Sequence, residues 1–149
     1  MGLLETTVIP ALVGAAVSFA GALITSAVAA RSRIDDQLRS TRIHVYKPLW
    51  RATKRLPKWP RATGVTRGDM YQLSVELRDW YFDMAGMYLS NRSMKAYREL
   101  QGEITLVAKP DDKTALTDLE YDKVRDACSH MRSELTADLV SRSRGLVIG

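Results

Sequence analysis

A run of 25 residues without a charge, Thr6–Ala30, constrains this chain more than any other feature. As a helix rising ~1.5 Å per residue, it would reach about 37 Å, enough to cross a hydrocarbon core of ~30 Å. The run ends at Arg31 and Arg33, and a basic flank on this side alone favours a cytoplasmic C-terminal part. The sequence therefore predicts a single-pass protein of the inner cell membrane with its N-terminus outside.

Two other interpretations of this run are weaker. Small residues on either side of Val28 fit a signal-peptidase site, but no basic residue precedes the run, and it is long for a signal peptide. A buried helix of a soluble protein would show polar residues on its outward face, and none marks such a face here. The start also matches a loose myristoylation pattern at Gly2, which a spanning helix would make redundant.

Small side chains recur along one face of the predicted membrane helix. Gly14, Ser18 and Ala22 are spaced at i, i+4 and i+8, and Gly21 begins a second such series. This spacing lets two helices approach closely, although these residue types are common in any membrane helix. We therefore predict that Gly14, Ser18, Gly21 and Ala22 pack against another membrane helix, with a homo-oligomer as one outcome.

Charge divides the rest of the chain. Residues 31–68 carry 11 basic and 2 acidic side chains, whereas residues 69–149 carry 11 basic and 14 acidic ones. A single Cys excludes an intramolecular disulfide and a Cys-rich zinc site, and the two His, 86 residues apart, do not suggest a metal site. No metal is expected, and because nucleotide-binding motifs are also absent, no cofactor is expected either. The predicted organisation is an anchor (1–30), a cytoplasmic helical bundle (31–142) and a flexible tail (143–149).

The apolar spacing after the anchor predicts four helices and no strands. The first continues the membrane helix as far as Pro48, which is expected to end or kink it. The second is expected to begin with Asp69 as N-cap and the third with Ser90; Thr117 and Glu120 form a capping box for the fourth. The predicted fold is all-α: an N-terminal transmembrane helix that continues into a cytoplasmic antiparallel four-helix bundle.

Two apolar stripes define the predicted core. The stripe of the second helix is Met70, Leu73, Leu77, Trp80/Tyr81, Met84 and Met87/Tyr88. The stripe of the fourth helix is Tyr121, Val124, Cys128, Met131 and Leu135. Because Cys128 lies on an apolar stripe, it is interpreted as a buried structural thiol rather than a nucleophile.

Two blocks of sequence carry a family resemblance. The first runs from Asp79-Trp80-Tyr81-Phe82 through Gly86, Tyr88-Leu89-Ser90 and Ser93 to Ala96-Tyr97, and the second from Ala127 to Arg142. Together they resemble a group of small, uncharacterised bacterial proteins that often carry an N-terminal membrane segment before a helical region. The likeness covers roughly Tyr46 to Arg142. The chain departs from the group at Ala85, where a second glycine is usual, and at Ser133, where threonine is usual. The resemblance implies an architecture and no reaction.

No catalytic or nucleotide-binding motif is present. The one candidate cluster combines charge with aromatic rings in Asp79, Trp80 and Tyr81, with Arg132 as a possible partner of Asp79 on another helix. A polar network that fixes helix register is the favoured interpretation, followed by a ligand pocket and, last, catalysis.

The basic stretch 31–68 is the second candidate site. Its contact residues are predicted to be Arg51, Lys54, Arg55, Lys58 and Trp59. Anionic lipid of the inner leaflet is the favoured partner, ahead of a purely solvated face, and nucleic acid or an acidic protein comes last. If the first helix is continuous, the chain must fold back after Pro48 for these residues to reach lipid.

Three functions are compatible with these observations. The first is a non-enzymatic, membrane-anchored interaction or scaffold module with an unknown protein partner. The second is an effector whose membrane helices assemble and perturb the bilayer or form a pore. The third is a small-molecule sensor or enzyme that uses Asp79–Tyr81, which would require a cavity near Trp80. The first is preferred because the bundle lacks a catalytic constellation.

Overall fold

The computed structural model describes residues 33–140 together with Thr25, Ser26 and Ala29. The chain divides into two compact units, Met1–Arg39 and Ser40–Gly149. In the first unit the described residues are helical. No helix in the described part of the chain has both the length and the apolarity to cross a membrane. Apart from those three residues, the predicted membrane span lies outside the described residues. Its predicted packing face and the predicted tail (143–149) also lie outside them.

Between residues 40 and 140, the described part of the second unit, the chain forms four helices. Helix α1 occupies residues 40–52 and runs into a 3₁₀ turn, Thr53–Arg55. Helix α2 is Arg67–Trp80, followed by a π-helical turn, Tyr81–Ala85; α3 is Asn91–Val107 and α4 is Asp118–Val140. Between residues 33 and 140 the only extended pairing is an isolated bridge between Thr66 and Ala115. The predicted all-α class is confirmed.

The helices alternate in direction. Trp80 at the end of α2 contacts Val45 near the start of α1, and Tyr97 of α3 bonds Leu77 of α2. Ser93 at the start of α3 bonds Asp138 at the end of α4. This up-down-up-down order is the antiparallel four-helix bundle expected from the sequence.

Side-chain caps fix where three helices begin. Ser90 accepts a bond from the Ser93 N–H, and Thr117 and Glu120 bond each other's backbone N–H groups, both as predicted. The predicted start of α2 is wrong. Thr66 is the N-cap, and Asp69 is the reciprocal residue of its capping box rather than the cap itself. The extended backbone of Thr66, which bridges to Ala115, places the cap three residues earlier.

Of the two outcomes predicted for Pro48, an end of the first helix near residues 46–47 is wrong, because helical residues continue to Ala52; a kink there stays a prediction. Proline in a helix interior costs about 3 kcal/mol. The next turn offsets this cost, because Leu49, Thr53 and Leu56 are fully buried in the bundle core.

The π-helical turn corrects the end of the α2 stripe. Its wider ring, closed by the Gly86 N–H on the Tyr81 carbonyl at 2.9 Å, inserts an extra residue into the helical register. Ala85 is buried as a result, whereas Met84 and Met87, which the stripe predicts as core residues, are exposed. Gly86 suits this turn because a Cβ there would lie 3.2 Å from the Tyr81 carbonyl oxygen.

Candidate functional site

The residues of the predicted Asp79–Arg132 cluster do not form one site. Asp79 is exposed, and its carboxylate oxygen lies 3.8 Å from the guanidinium Nε of its neighbour Arg78. Arg132 donates to the carbonyl of Thr53 at 3.3 Å. In the part of the chain that the structure describes, no ion pair joins Asp79 to Arg132, so the proposed pairing between helices is wrong. Asp79 faces solvent, whereas Trp80, the next residue, points into the bundle.

Trp80 and Tyr81 instead help to align α1, α2 and α3. The Trp80 indole N–H donates to the Val45 carbonyl at 2.7 Å. The Tyr81 ring stacks on Tyr97 with centroids 4.9 Å apart, and the Tyr97 hydroxyl donates to the Leu77 carbonyl. Trp80 and Tyr97 are bonded to backbone and Tyr81 packs on Tyr97, which fits the predicted register-fixing network for Trp80 and Tyr81.

A second polar centre surrounds Asp138, which sequence reasoning did not single out. Its carboxylate is 8% exposed and accepts hydrogen bonds from the Ser93 hydroxyl at 2.7 Å and from the Ser90 N–H at 3.3 Å. The Tyr46 hydroxyl lies 3.3 Å from the same Asp138 carboxylate oxygen and 2.9 Å from the Tyr88 carbonyl oxygen. Its one proton is shared between these two acceptors. Arg42 completes the centre by donating to the carbonyls of Tyr88 and Asp138.

The chemistry of the Asp138 centre is structural. Burial, together with the neighbouring carboxylate, raises the pKa of the Tyr46 hydroxyl well above its usual value, so Tyr46 is a neutral donor at physiological pH. The polar groups of Asp138, Ser93 and Tyr46 are bonded to one another or to backbone. The centre joins α1, α4 and the start of α3. One signal pointed to it: Asp138 follows Leu135 by three residues on the apolar stripe of α4.

Neither Cys128 nor the two histidines offers reactive chemistry. Cys128 is fully buried, and burial raises the pKa of its thiol to about 12, so the thiol stays protonated. His44 is exposed on α1, and His130 lies on the surface 3.7 Å from a Glu99 oxygen. In the described residues no group of acidic, His or Cys side chains has the arrangement of a metal site.

The predicted basic contact residues separate into two sets. Arg55 forms an ion pair with Glu76 at 2.6 Å. Arg61, which was not among the predicted contact residues, forms an ion pair with Asp118 at 2.7 Å, and its guanidinium lies over the Tyr121 ring. These pairs fasten the chain after α1 to α2 and α4. Arg51, Lys54 and Lys58 are exposed, as is Trp59. The exposed cations Arg51, Lys54 and Lys58 therefore lie at or just beyond the end of α1 that is opposite Ser40.

An open apolar groove of about 320 Å³ lies between α1 and α4. Its apolar walls come from both helices, and Ile43 and Trp50 are each 51% exposed. Two cations, Lys47 and Arg51, stand on its α1 side. The lining residues are Ile43, Tyr46, Lys47, Trp50, Arg51, Leu135, Thr136 and Leu139.

A polar pocket of about 440 Å³ adjoins this groove and shares Trp50 and Thr136 with it. Lys58, from the loop after α1, and Arg132, from α4, bring two more cations, and Ser129 and Ser133 bring hydroxyls. The groove and the pocket together, called the α1/α4 groove below, are lined by four cations and by no carboxylate. Such a surface suits a ligand with an apolar face and negative charge.

Comparison with protein-family models, curated proteins and solved structures finds no match for this chain.

Proposed function

We propose that this chain is a single-pass, membrane-anchored interaction module without catalytic activity. Its N-terminal segment holds the helical bundle at the inner face of the cell membrane, and the α1/α4 groove docks an acidic amphipathic helix of a partner protein. The observation that carries the proposal is the groove itself, which places Lys47, Arg51, Lys58 and Arg132 around a half-exposed Trp50 without a carboxylate.

The anchor rests on the sequence. The 25 uncharged residues of Thr6–Ala30 are followed by Arg31 and Arg33, the pattern of a spanning helix with a cytoplasmic basic flank. The resemblance to small bacterial proteins that carry an N-terminal membrane segment before a helical region agrees with this topology. The small residues Gly14, Ser18, Gly21 and Ala22 suit a helix that packs against another copy of itself.

The shape and charge of the groove favour an acidic helix as its occupant. Two neighbouring antiparallel helices form a furrow into which a third helix can lay its apolar face, as in other helix-in-groove complexes. Ile43 and Leu139 lie towards one end, and the cations of Lys58 and Arg132 towards the other. The chain's own sequence after Val140 contributes Arg142 and Arg144 and no acidic side chain, so its charge does not complement the groove.

A peptide titration tests the docking surface. The probe is an amphipathic peptide of about 14 residues, roughly four helical turns, with Leu on one face and Glu on the other. Fluorescence anisotropy should show that the full-length protein in detergent binds it and that Arg51→Glu weakens binding by about 10-fold or more, ~1.4 kcal/mol. Lys123→Glu on the exposed surface of α4 is the matched control and should leave the affinity unchanged. Equal losses in both variants would contradict docking at the groove.

In-cell crosslinking tests the anchor and its assembly. The full-length protein should sediment with membranes and give a ladder of crosslinked oligomers. Gly14→Leu should remain in the membrane fraction and lose the ladder, because the larger side chain holds the helices apart. A soluble protein would contradict the anchor, and a single monomer band for both proteins would contradict packing through the small-residue face.

A further inference from the structure

The connection between α2 and α3 exposes large apolar side chains at one end of the bundle. Phe82 is 76% exposed, Met87 is 89% exposed and Met84 is 39% exposed. Phe82 and Met84 lie within the π-helical turn, Tyr81–Ala85, and Met87 follows its last residue by two positions. Because that turn inserts a residue into the register, it rotates Met84 out of the core and buries Ala85 in its place.

The exposed residues belong to a connection with a fixed structure. The Phe82 ring meets the Tyr81 ring edge-on at 5.1 Å, and Tyr81 is itself stacked on Tyr97. The Tyr88 carbonyl, one residue beyond Met87, accepts bonds from Arg42 and Tyr46. Phe82, Met84 and Met87 thus lie within six consecutive residues of this connection, and several large exposed apolar side chains in so short a segment are typical of a contact surface.

The same bonds place this apolar end of the bundle beside the start of α1. Arg42 and Val45 are among the first residues of the second compact unit, and they contact Tyr88 and Trp80. Ser40 follows Ala30, the end of the predicted membrane span, by ten residues. Even a fully extended chain of that length reaches ~35 Å, and a helical one about 15 Å. The ten residues that follow the predicted span therefore set an upper limit on how far this end of the bundle can lie from the bilayer.

We propose that Phe82, Met84 and Met87 insert into the interfacial region of the membrane and give the bundle a second attachment beside its anchor. This inference rests on the anchor of the proposed function and is independent of the α1/α4 groove. Aromatic and Met side chains on a rigid turn enter the headgroup and acyl boundary without needing a charged lipid. The π-helical turn is then what directs these side chains outward. In this arrangement the α2–α3 end of the bundle contacts the membrane, and the basic end at Arg51–Lys58 faces away from it.

Depth-dependent quenching tests this attachment. Met87→Cys is labelled with an environment-sensitive fluorophore in the full-length protein, and Cys128 does not compete because it is buried. The matched control is Leu119→Cys, which is 67% exposed in the first turn of α4 at the opposite end of the bundle. The protein is reconstituted in phosphatidylcholine vesicles that contain nitroxide-labelled lipid.

The expected result is a blue shift and a several-fold larger fractional quenching at position 87 than at position 119. The double variant Phe82→Ser, Met84→Ser, labelled at position 87, should lose most of that difference. Equal quenching at both positions in protein that floats with the vesicles would overturn the attachment and leave the anchor intact. Protein that does not float would overturn both. A blue shift at position 87 that appears in detergent and grows with protein concentration would assign the surface to a second copy of the chain and overturn the proposal.

Discussion

The Asp138 centre and the α1/α4 groove are built on the same two helices and have opposite chemistry. Each combines aromatic rings with charged side chains. In the Asp138 centre, the carboxylate, the Ser93 hydroxyl and the Tyr46 hydroxyl are buried and bonded to one another or to backbone. In the groove, Trp50 is half exposed and the neighbouring cations Lys47 and Arg51 face open space.

This difference distinguishes a closed polar network from an open charged surface in a bundle without a recognisable motif. A carboxylate, a serine, a tyrosine and an arginine in one place suggest catalysis on residue type alone. The hydrogen bonds of Asp138, Ser93, Tyr46 and Arg42 join α1, the α2–α3 connection, α3 and α4. In the groove, Arg132 donates to the Thr53 carbonyl, but the lining holds no carboxylate, so solvent or an external partner must balance its positive charge.

The largest effect is expected from breaking the Asp138 centre. Asp138→Ala leaves the Ser93 hydroxyl and the Ser90 N–H without an acceptor, and should lower the free energy of unfolding by about 2–4 kcal/mol. Asp126→Ala, on the exposed surface of the same helix, should change it by less than ~0.5 kcal/mol. Urea unfolding of the full-length protein in detergent, followed by Trp fluorescence, measures both. Similar midpoints for the two variants would show that the centre does not stabilise the bundle.

A pair of tryptophan substitutions sharpens the comparison. Trp80→Phe removes the buried bond from the indole N–H to the Val45 carbonyl and should lower the free energy of unfolding by about 1–3 kcal/mol. Trp50→Phe in the groove should change it by no more than ~0.5 kcal/mol. The same urea titration distinguishes them. If Trp50→Phe were the more destabilising change, the groove would be part of the core rather than a docking surface.

The sequence predicted what depends on local spacing. The buried stripe of α4, including Cys128, and the caps at Ser90 and Thr117 all follow from residues within one or two turns of each other. It failed where distant contacts decide the outcome. Pro48 lies within a helix because the buried side chains of Leu49 and Thr53 hold the next turn in place, a benefit that no local pattern contains.

The sequence indicated the cations of the groove, but it did not indicate that they lie together. The cations of residues 47–58 stand out by composition, and Arg132 was singled out for a different reason. Only the antiparallel register of α1 and α4 brings Lys58 and Arg132 into one pocket. The π-helical turn is another such case, because the stripe predicts Met84 and Met87 as core residues until the extra residue of the turn is known.

The smallest effect concerns pH and the cap of α2. Hydrogen bonds from the Thr66 backbone N–H and hydroxyl hold the pKa of the Asp69 carboxyl below its usual value. A carboxyl with a depressed pKa in the folded state stabilises the protein above the unfolded pKa of about 3.9, and this contribution is lost as the pH falls through the lower folded value. Asp69→Asn should therefore unfold with a shallower pH dependence below about pH 4. Identical pH profiles for both proteins, measured by thermal unfolding, would contradict the capping role.

The most direct test of the docking proposal is a charge exchange in the groove. The double variant Arg51→Glu, Lys58→Glu is titrated with two amphipathic peptides that share one apolar face and carry either Glu or Lys on the other. The wild-type protein should prefer the Glu peptide, whereas the double variant, whose groove carries two basic and two acidic side chains, should lose this preference, while urea unfolding of the two proteins agrees within ~0.5 kcal/mol. A double variant that keeps the wild-type preference would contradict the claim that the α1/α4 groove binds an acidic helix.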